Sequence, residues 1–184
     1  MKKNIPSLFL ALTFISMGVH ANAQKDPVVG GAAMYPTKNI VENAVNSKDH
    51  TTLVAAVKAA DLVDTLESPG PFTVFAPTNE AFAALPAGTV DMLLKPENKP
   101  TLVKILTYHV VPGSLTTRSL KKMIKQGNGK AALKTVQGGT LTVTMKGGKY
   151  MLTDEKGGLA TITIPNVIQS NGVIQVINAV LMPH

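Results

Sequence analysis

The chain contains no cysteine, so neither a disulfide nor a thiolate ligand is available and stability has to come from the packed core. The same absence removes the lipid-modified N-terminal cysteine that would anchor a lipoprotein. Tryptophan is also missing and aromatics make up only 4% of the residues, with no interleaving of aromatic and basic side chains. Nucleic-acid binding is therefore a poor fit despite a basic composition, because bases need stacking platforms. Long apolar runs are scarce too. Ile5 to Val19 is the longest, at about 15 residues against the roughly 20 needed to span a bilayer. No transmembrane segment is expected.

That single run has another reading. Lys2 and Lys3 precede it and Ala21-Asn22-Ala23 follows it, which is the layout of a secretory signal peptide, residues 1–23, cleaved near Ala23. The expected product is secreted, periplasmic or extracellular. A mature chain of about 160 residues buries roughly two thirds of its unfolded surface. The 45% apolar content of the full sequence suits one compact domain. Residues 24–38 carry Pro27, Gly30, Gly31 and Pro36 with little periodicity and are expected to form a flexible arm. The domain is expected over 39–183.

Helical spacing dominates the first part of that domain. In Thr51 to Ala60, Leu53, Val54 and Val57 share a face and Thr51 stands as a cap; Leu102, Ile105 and Leu106 form another helix ending near Tyr108. Alternation dominates the second part. Leu141, Val143 and Met145 alternate with threonines, Gly147-Gly148 turns the chain, and Tyr150 and Leu152 continue a hairpin. A run from Leu159 to Ile168 leads through Asn171-Gly172 into Val173 to Ile177, a strand apolar on both faces and hence buried. Helices first and strands later predict an α+β domain.

Catalytic motifs are absent. The sequence has no Gly-x-Ser-x-Gly elbow, no His-Glu-x-x-His and no phosphate loop. Gly127-Asn128-Gly129-Lys130 lacks the first glycine and the final Ser or Thr of such a loop and reads as a helix C-terminus at Gly127. Asp61 and Asp64 lie beside a turn and read as solvated acids at helix ends. Asp154-Glu155 is expected in a solvated hairpin loop. No enzyme activity, cofactor or metal is expected.

Three ordered segments carry the recognisable pattern. Pro71 to Leu85 (PFTVFAPTNEAFAAL) is a strand stopping at Ala76-Pro77, then a helix capped by Thr78 with Asn79 and Glu80 in its first turn. Tyr108-His109 sits at a helix-to-strand junction, and Asn171 to Pro183 (NGVIQVINAVLMP) is the buried strand opened by an Asn-Gly turn. Together these resemble the two boxes and central Tyr-His pair of the fasciclin (FAS1) domain family, from about Asn39 to Pro183. The resemblance implies a β-wedge of mainly C-terminal strands flanked by N-terminal helices. It also implies a non-catalytic adhesion or binding role at the cell surface or in extracellular matrix.

Within the boxes, Thr73, Phe75, Pro77, Thr78, Asn79, Phe82, Asn171, Gly172, Gln175 and Asn178 stand as structural residues. Gln175 replaces a frequent His, while Asn178 and Asn79 replace frequent Asp. Each swap keeps a hydrogen-bonding side chain and removes a titratable one. His50 stands where the family often has an aromatic before a helix cap, which loosens that hydrophobic staple. For Tyr108 and His109 two readings stand. One is a part-buried imidazole locking the halves of the domain together. The other, implied by the resemblance, is contact with an adhesion partner, as at the Tyr-His region of animal members. An exported small-ligand carrier, for haem or lipid, with a pocket near Tyr108-His109 is the alternative from a different class.

Charge points toward partners. Loss of Lys2 and Lys3 with the leader leaves 16 basic and 11 acidic residues, a net charge of +5. From Asn98 to Thr153 there is no Asp or Glu, whereas ten Lys and Arg residues fall there. On the helix over Thr117 to Gln126, Leu120, Met123 and Ile124 are expected inward and Lys121, Lys122 and Lys125 outward. A one-sign surface concentrates anions, so the expected partners are acidic polysaccharide, lipid headgroups or a cell-surface protein. Lysines also confer solubility and block edge pairing of strands. Adhesion by one domain further requires weak self-association or a second binding face.

Overall fold

A computed structural model describes residues 26–184; the expected signal peptide lies outside them. The described chain opens with β1 (Val28–Val29) and β2 (Ala32–Ala33), then α1 (Ile40–Ala44), α2 (Thr51–Ala59) and α3 (Val63–Glu67). β3 (Phe72–Pro77), α4 (Asn79–Ala83), α5 (Thr89–Leu93), α6 (Lys99–Tyr108) and β4 (Val110–Pro112) follow. Beyond α7 (Thr117–Gln126) come β5 (Lys130–Lys134), β6 (Thr140–Lys146), β7 (Lys149–Thr153), β8 (Leu159–Gln169) and β9 (Gly172–Ile177). Apart from the β1–β2 hairpin, these strands join one sheet in the order β4-β3-β9-β8-β7-β6-β5. The α+β expectation holds.

One strand in from the β4 edge of the sheet lies the parallel pair β3 and β9, in register from Phe72 opposite Gly172 to Pro77 opposite Ile177. Parallel neighbours are buried on both faces, and here the two faces serve two cores. Val74, Ala76, Ile174 and Val176 point to one core, with Leu53, Val57, Leu66, Leu102 and Leu106 from the helices. Phe75 and Ile177 point to the other, with Leu120 and Ile124 of α7 and Leu133, Leu141, Val143 and Leu152 of the strands. Gly172 is dictated by the close approach of β3: a Cβ there would stand 2.1 Å from the Phe72 carbonyl oxygen.

The arm expected to be flexible is instead packed. Gly30 and Gly31 take positive φ (58° and 78°), which closes a tight hairpin, and Val29 and Met34 are buried in the helical core. Backbone hydrogen bonds from Met34 N to Pro27 O (2.9 Å) and from Lys48 N to Gly30 O (3.1 Å) hold it there. Two apolar side chains flanking a Gly-Gly turn are enough to dock a segment that lacks helical or strand periodicity. At the far end of α7, Gly127 closes the helix as expected. The left-handed backbone follows at Asn128, and Gly127 is needed because a Cβ would meet the Lys130 carbonyl oxygen at 2.0 Å.

Candidate functional site

Tyr108 ends α6 and His109 begins the turn into β4, so the two side chains leave the backbone in different directions. Their rings stand edge to face at 90°, with centroids 6.5 Å apart. Tyr108 enters the strand core, fully buried. Its hydroxyl donates to Thr140 O (2.8 Å) and accepts from Glu155 N (3.1 Å). Burial pushes the phenol up to about 12, against the pull of the Glu155 N–H.

His109 is 3% exposed and has both ring nitrogens engaged. The Leu181 N–H donates to Nε2 (3.0 Å), so Nε2 carries no proton and Nδ1 donates to Ile105 O (2.9 Å). Burial lowers the ring to about 4, only partly offset by the Ile105 carbonyl and the Asp154 charge. A neutral imidazole thus clips the C-terminal segment to α6. No lone pair remains for a metal, which removes His109 as a haem ligand in this conformation. Tyr108 does not line the apolar cavity of the molecule, so the expected pocket at the pair is displaced toward the helical core.

The box residues act as staples between distant segments. Thr73 Oγ1 donates to Gly113 O (2.6 Å) and accepts from Leu115 N (2.8 Å). Gln175, fully buried, accepts from Asn166 N (2.9 Å) and donates to Leu115 O (2.8 Å) and Asn166 Oδ1 (3.3 Å). Asn166 in turn bonds Thr117 twice at the start of α7, both at 2.7 Å. Asn171 accepts from Ile40 N (3.0 Å) and donates to Leu66 O (2.7 Å) and Ser68 O (3.1 Å), while Asn178 accepts from Thr161 N (2.7 Å). Thr78 caps α4 through Ala81 N (3.3 Å), and Phe82 and Pro77 are buried beside it.

The expected cap at Thr51 is different in the structure. Asn79, on α4, supplies it: its Oδ1 accepts from Thr52 N (3.0 Å) and Thr51 Oγ1 (3.2 Å), and its Nδ2 donates to Lys48 O (2.8 Å). One amide thereby satisfies both a free donor at the α2 N-terminus and a carbonyl of the preceding turn. The expected solvated loop at Asp154-Glu155 also differs. Asp154 is buried, its Oδ1 accepting from Gly158 N (2.6 Å) and Lys156 N (3.0 Å) and its Oδ2 from Met182 N (2.8 Å). Backbone donors stand in for water around it.

The lysines lie elsewhere. α7 packs Leu120 and Ile124 onto the inner faces of β5 and β6, leaving Lys121, Lys122 and Lys125 exposed. Lys130 and Lys134 alternate to the opposite face of β5, the last strand of the sheet. The positive charge therefore wraps both sides of the β5 edge. Among the described residues the ion pair found is Lys99 with Asp61, so none of these five lysines is in a salt bridge, although the charge of Lys134 reaches Glu155 and helps to lower its pKa.

A cavity of about 80 Å³ opens in the helical core, between α1, α2, α3 and the sheet face that carries Val74 and Ile174. Its walls are almost wholly apolar, and His50 and His109 reach it. His50 is 3% exposed, with Nδ1 2.9 Å from Ser47 Oγ, while Nε2 is buried and unpartnered. The Ala76 backbone acts on the ring without reaching hydrogen-bond geometry. Burial lowers the pKa of His50, outweighing Ala76 and Asp49. An orphaned buried nitrogen costs about 1–3 kcal/mol. In the sequence His50 stands out only as a replaced aromatic, and its one signal is a polar residue at an apolar position. Among the described residues no group of three or more His, Cys, Asp or Glu is arranged to hold a metal, and no helix is long and apolar enough to cross a membrane.

A sheet with one parallel pair flanked by two cores, two box segments that form that pair, and a Tyr-His pair set between the cores define the class. Residues 48–183 match the profile of the Fasciclin domain, and the chain belongs to that family. It is 48% identical over 174 residues to Protein sll1483 of Synechocystis sp., covering 95% of this chain and 89% of the relative. Identity with the immunogenic protein MPB70 of Mycobacterium bovis is 39% over 145 residues, covering 76% and 66%. Among solved structures, the FAS1 domain pair of the insect cell adhesion molecule fasciclin I superposes with a TM-score of 0.71 at 19% identity. That match covers 80% of this chain and 51% of the other.

Proposed function

We propose that the chain is an exported, non-catalytic binding protein of adhesion type, acting at the cell surface or in extracellular matrix through the basic rim around β5. The carrying observation is the rim itself: Lys121, Lys122, Lys125, Lys130 and Lys134 stand exposed and outside any salt bridge on both sides of one sheet edge, with Glu155 near Lys134 as the acid that offsets part of the charge. A predominantly positive rim attracts anions over a Debye length. Acidic polysaccharide and anionic lipid headgroups are its natural partners, and an acidic cell-surface protein presents the same chemistry. Binding rather than catalysis is supported by the buried polar groups, since Thr73, Tyr108, His109, Asp154 and Gln175 are spent on internal hydrogen bonds. Family membership agrees, and the insect neighbour is itself described as a cell adhesion molecule. Partner contact by Tyr108-His109 loses ground to the structural reading, because neither side chain reaches the surface.

Retention of the purified protein on acidic and neutral glycans and vesicles, at low and high salt, tests this reading. Acid-selective retention that falls with salt and disappears in the triple variant Lys121→Glu, Lys122→Glu, Lys125→Glu is expected. Equal retention of variant and parent, or none on any acidic surface, would overturn it.

A further inference from the structure

The cavity in the helical core has the composition of a ligand site and one unmet hydrogen bond. Leu53, Val57, Leu66, Val74 and Ile174 supply aliphatic walls, and Met34 closes one side with an adaptable thioether. At about 80 Å³ it is several times the ~10–15 Å³ that one water needs. Water is nonetheless a poor occupant. A buried water needs two to four polar partners, and both nitrogens of His109 are engaged, leaving His50 Nε2 as the unpartnered side-chain atom among the described residues.

We propose that this cavity binds a small apolar molecule bearing a single hydroxyl, of phenol or short-chain alcohol type, hydrogen-bonded to His50 Nε2. The functional group follows from the ring. Ser47 Oγ can donate to Nδ1 or accept from it, so Nε2 is a donor in one tautomer and an acceptor in the other. A hydroxyl satisfies both tautomers. A carboxylate would be buried among apolar side chains with one hydrogen-bond donor and no counter-charge, which costs far more than that bond returns, and a hydrocarbon leaves the nitrogen as orphaned as before. Size follows from the volume: a dry apolar cavity of about 150 Å³ takes up benzene, so about 80 Å³ sets one small ring as the upper bound. The site is separate from the lysine rim and does not depend on the surface-binding reading.

The test uses p-cresol and p-xylene, which share shape and differ in the hydroxyl. In titrations of the purified protein followed by calorimetry and by ¹⁵N spectra of the histidine rings, p-cresol is expected to bind about fivefold more tightly than p-xylene. That factor is what one neutral hydrogen bond supplies. It is expected to move the His50 ring signals and leave His109 close to its free position. His50→Phe, which keeps the ring and removes the nitrogen, is expected to abolish the discrimination. Should that variant fold poorly, the parent protein alone still decides through the ligand pair and the ¹⁵N shifts. Val54→Trp, at the half-buried rim of the cavity, is expected to weaken both ligands. No p-cresol binding at millimolar concentration, equal affinity for the two ligands, or an unmoved His50 signal would each overturn the proposal. None of these outcomes bears on retention by acidic surfaces.

Discussion

The two cores, separated by one sheet, are built to different standards. On the strand side, Leu120, Leu141, Val143 and Leu152 are completely buried, and the polar residues among them, Tyr108 and Gln175, have partners at every functional atom. On the helical side, short helices meet a hairpin and leave a cavity with an unpartnered nitrogen. The antiparallel ladder from β9 to β5 aligns its neighbours over most of its length, with register shifts only in β8 between Ile162 and Val167. Five-residue helices such as α1 and α3 bury only one or two side chains each, so their packing leaves gaps. Tyr108 and His109, adjacent in sequence, serve opposite sides of this divide.

The largest loss expected from this contrast comes from a truncation in the filled core, read against one beside the cavity. Leu141→Ala, in the filled strand core, is expected to lose about 4 kcal/mol, and Leu53→Ala, beside the existing cavity, about 2 kcal/mol, because its neighbours have room to collapse. Urea unfolding of the pair measures this; equal losses would erase the distinction between the cores. Acid comes next. The ring of His109 is held near 4 in the fold against 6.5 unfolded, so the unfolded chain takes up the proton first. Stability is then complete above about pH 6.5 and falls as the pH drops toward 4, by about 3 kcal/mol from this one group. His50, shifted in the same direction, adds to the fall. An NMR titration placing His109 near 6.5 would contradict the clip. Smaller still is Tyr108→Phe, expected to lose about 2 kcal/mol by orphaning Thr140 O and Glu155 N. A change within experimental error would mean that water replaces the hydroxyl there.

Periodicity makes the strand side legible in the sequence alone. The inward face of α7, both faces of β9, the Gly147-Gly148 hairpin and the Thr78 cap all follow from local spacing. What local spacing misses is the long-range pairing of side chains. Asn79 caps a helix 27 residues upstream, Asn171 reaches 131 residues back to Ile40, and Asp154 holds Met182. A side chain's partner across such distances leaves no mark in its own window. The short strand Lys130–Lys134 is hard to see because its alternation covers only two inward residues, Ala131 and Leu133. The cavity is hidden for a deeper reason: it is the space between elements, and no residue encodes it alone. His50 is visible in the sequence as an oddity and becomes interpretable only through its neighbours in space.

The parallel pairing of β3 with β9 also sets the timing of folding. A strand that ends at Pro77 finds its parallel neighbour only when Ile177 exists, about a hundred residues later in synthesis. Until then Val74 and Phe75 have no second edge to lie against, and neither core can close. Such long-range pairing slows folding. For a chain exported as proposed, the delay is useful, because the polypeptide stays loose enough for a translocation channel until its last strand has been made.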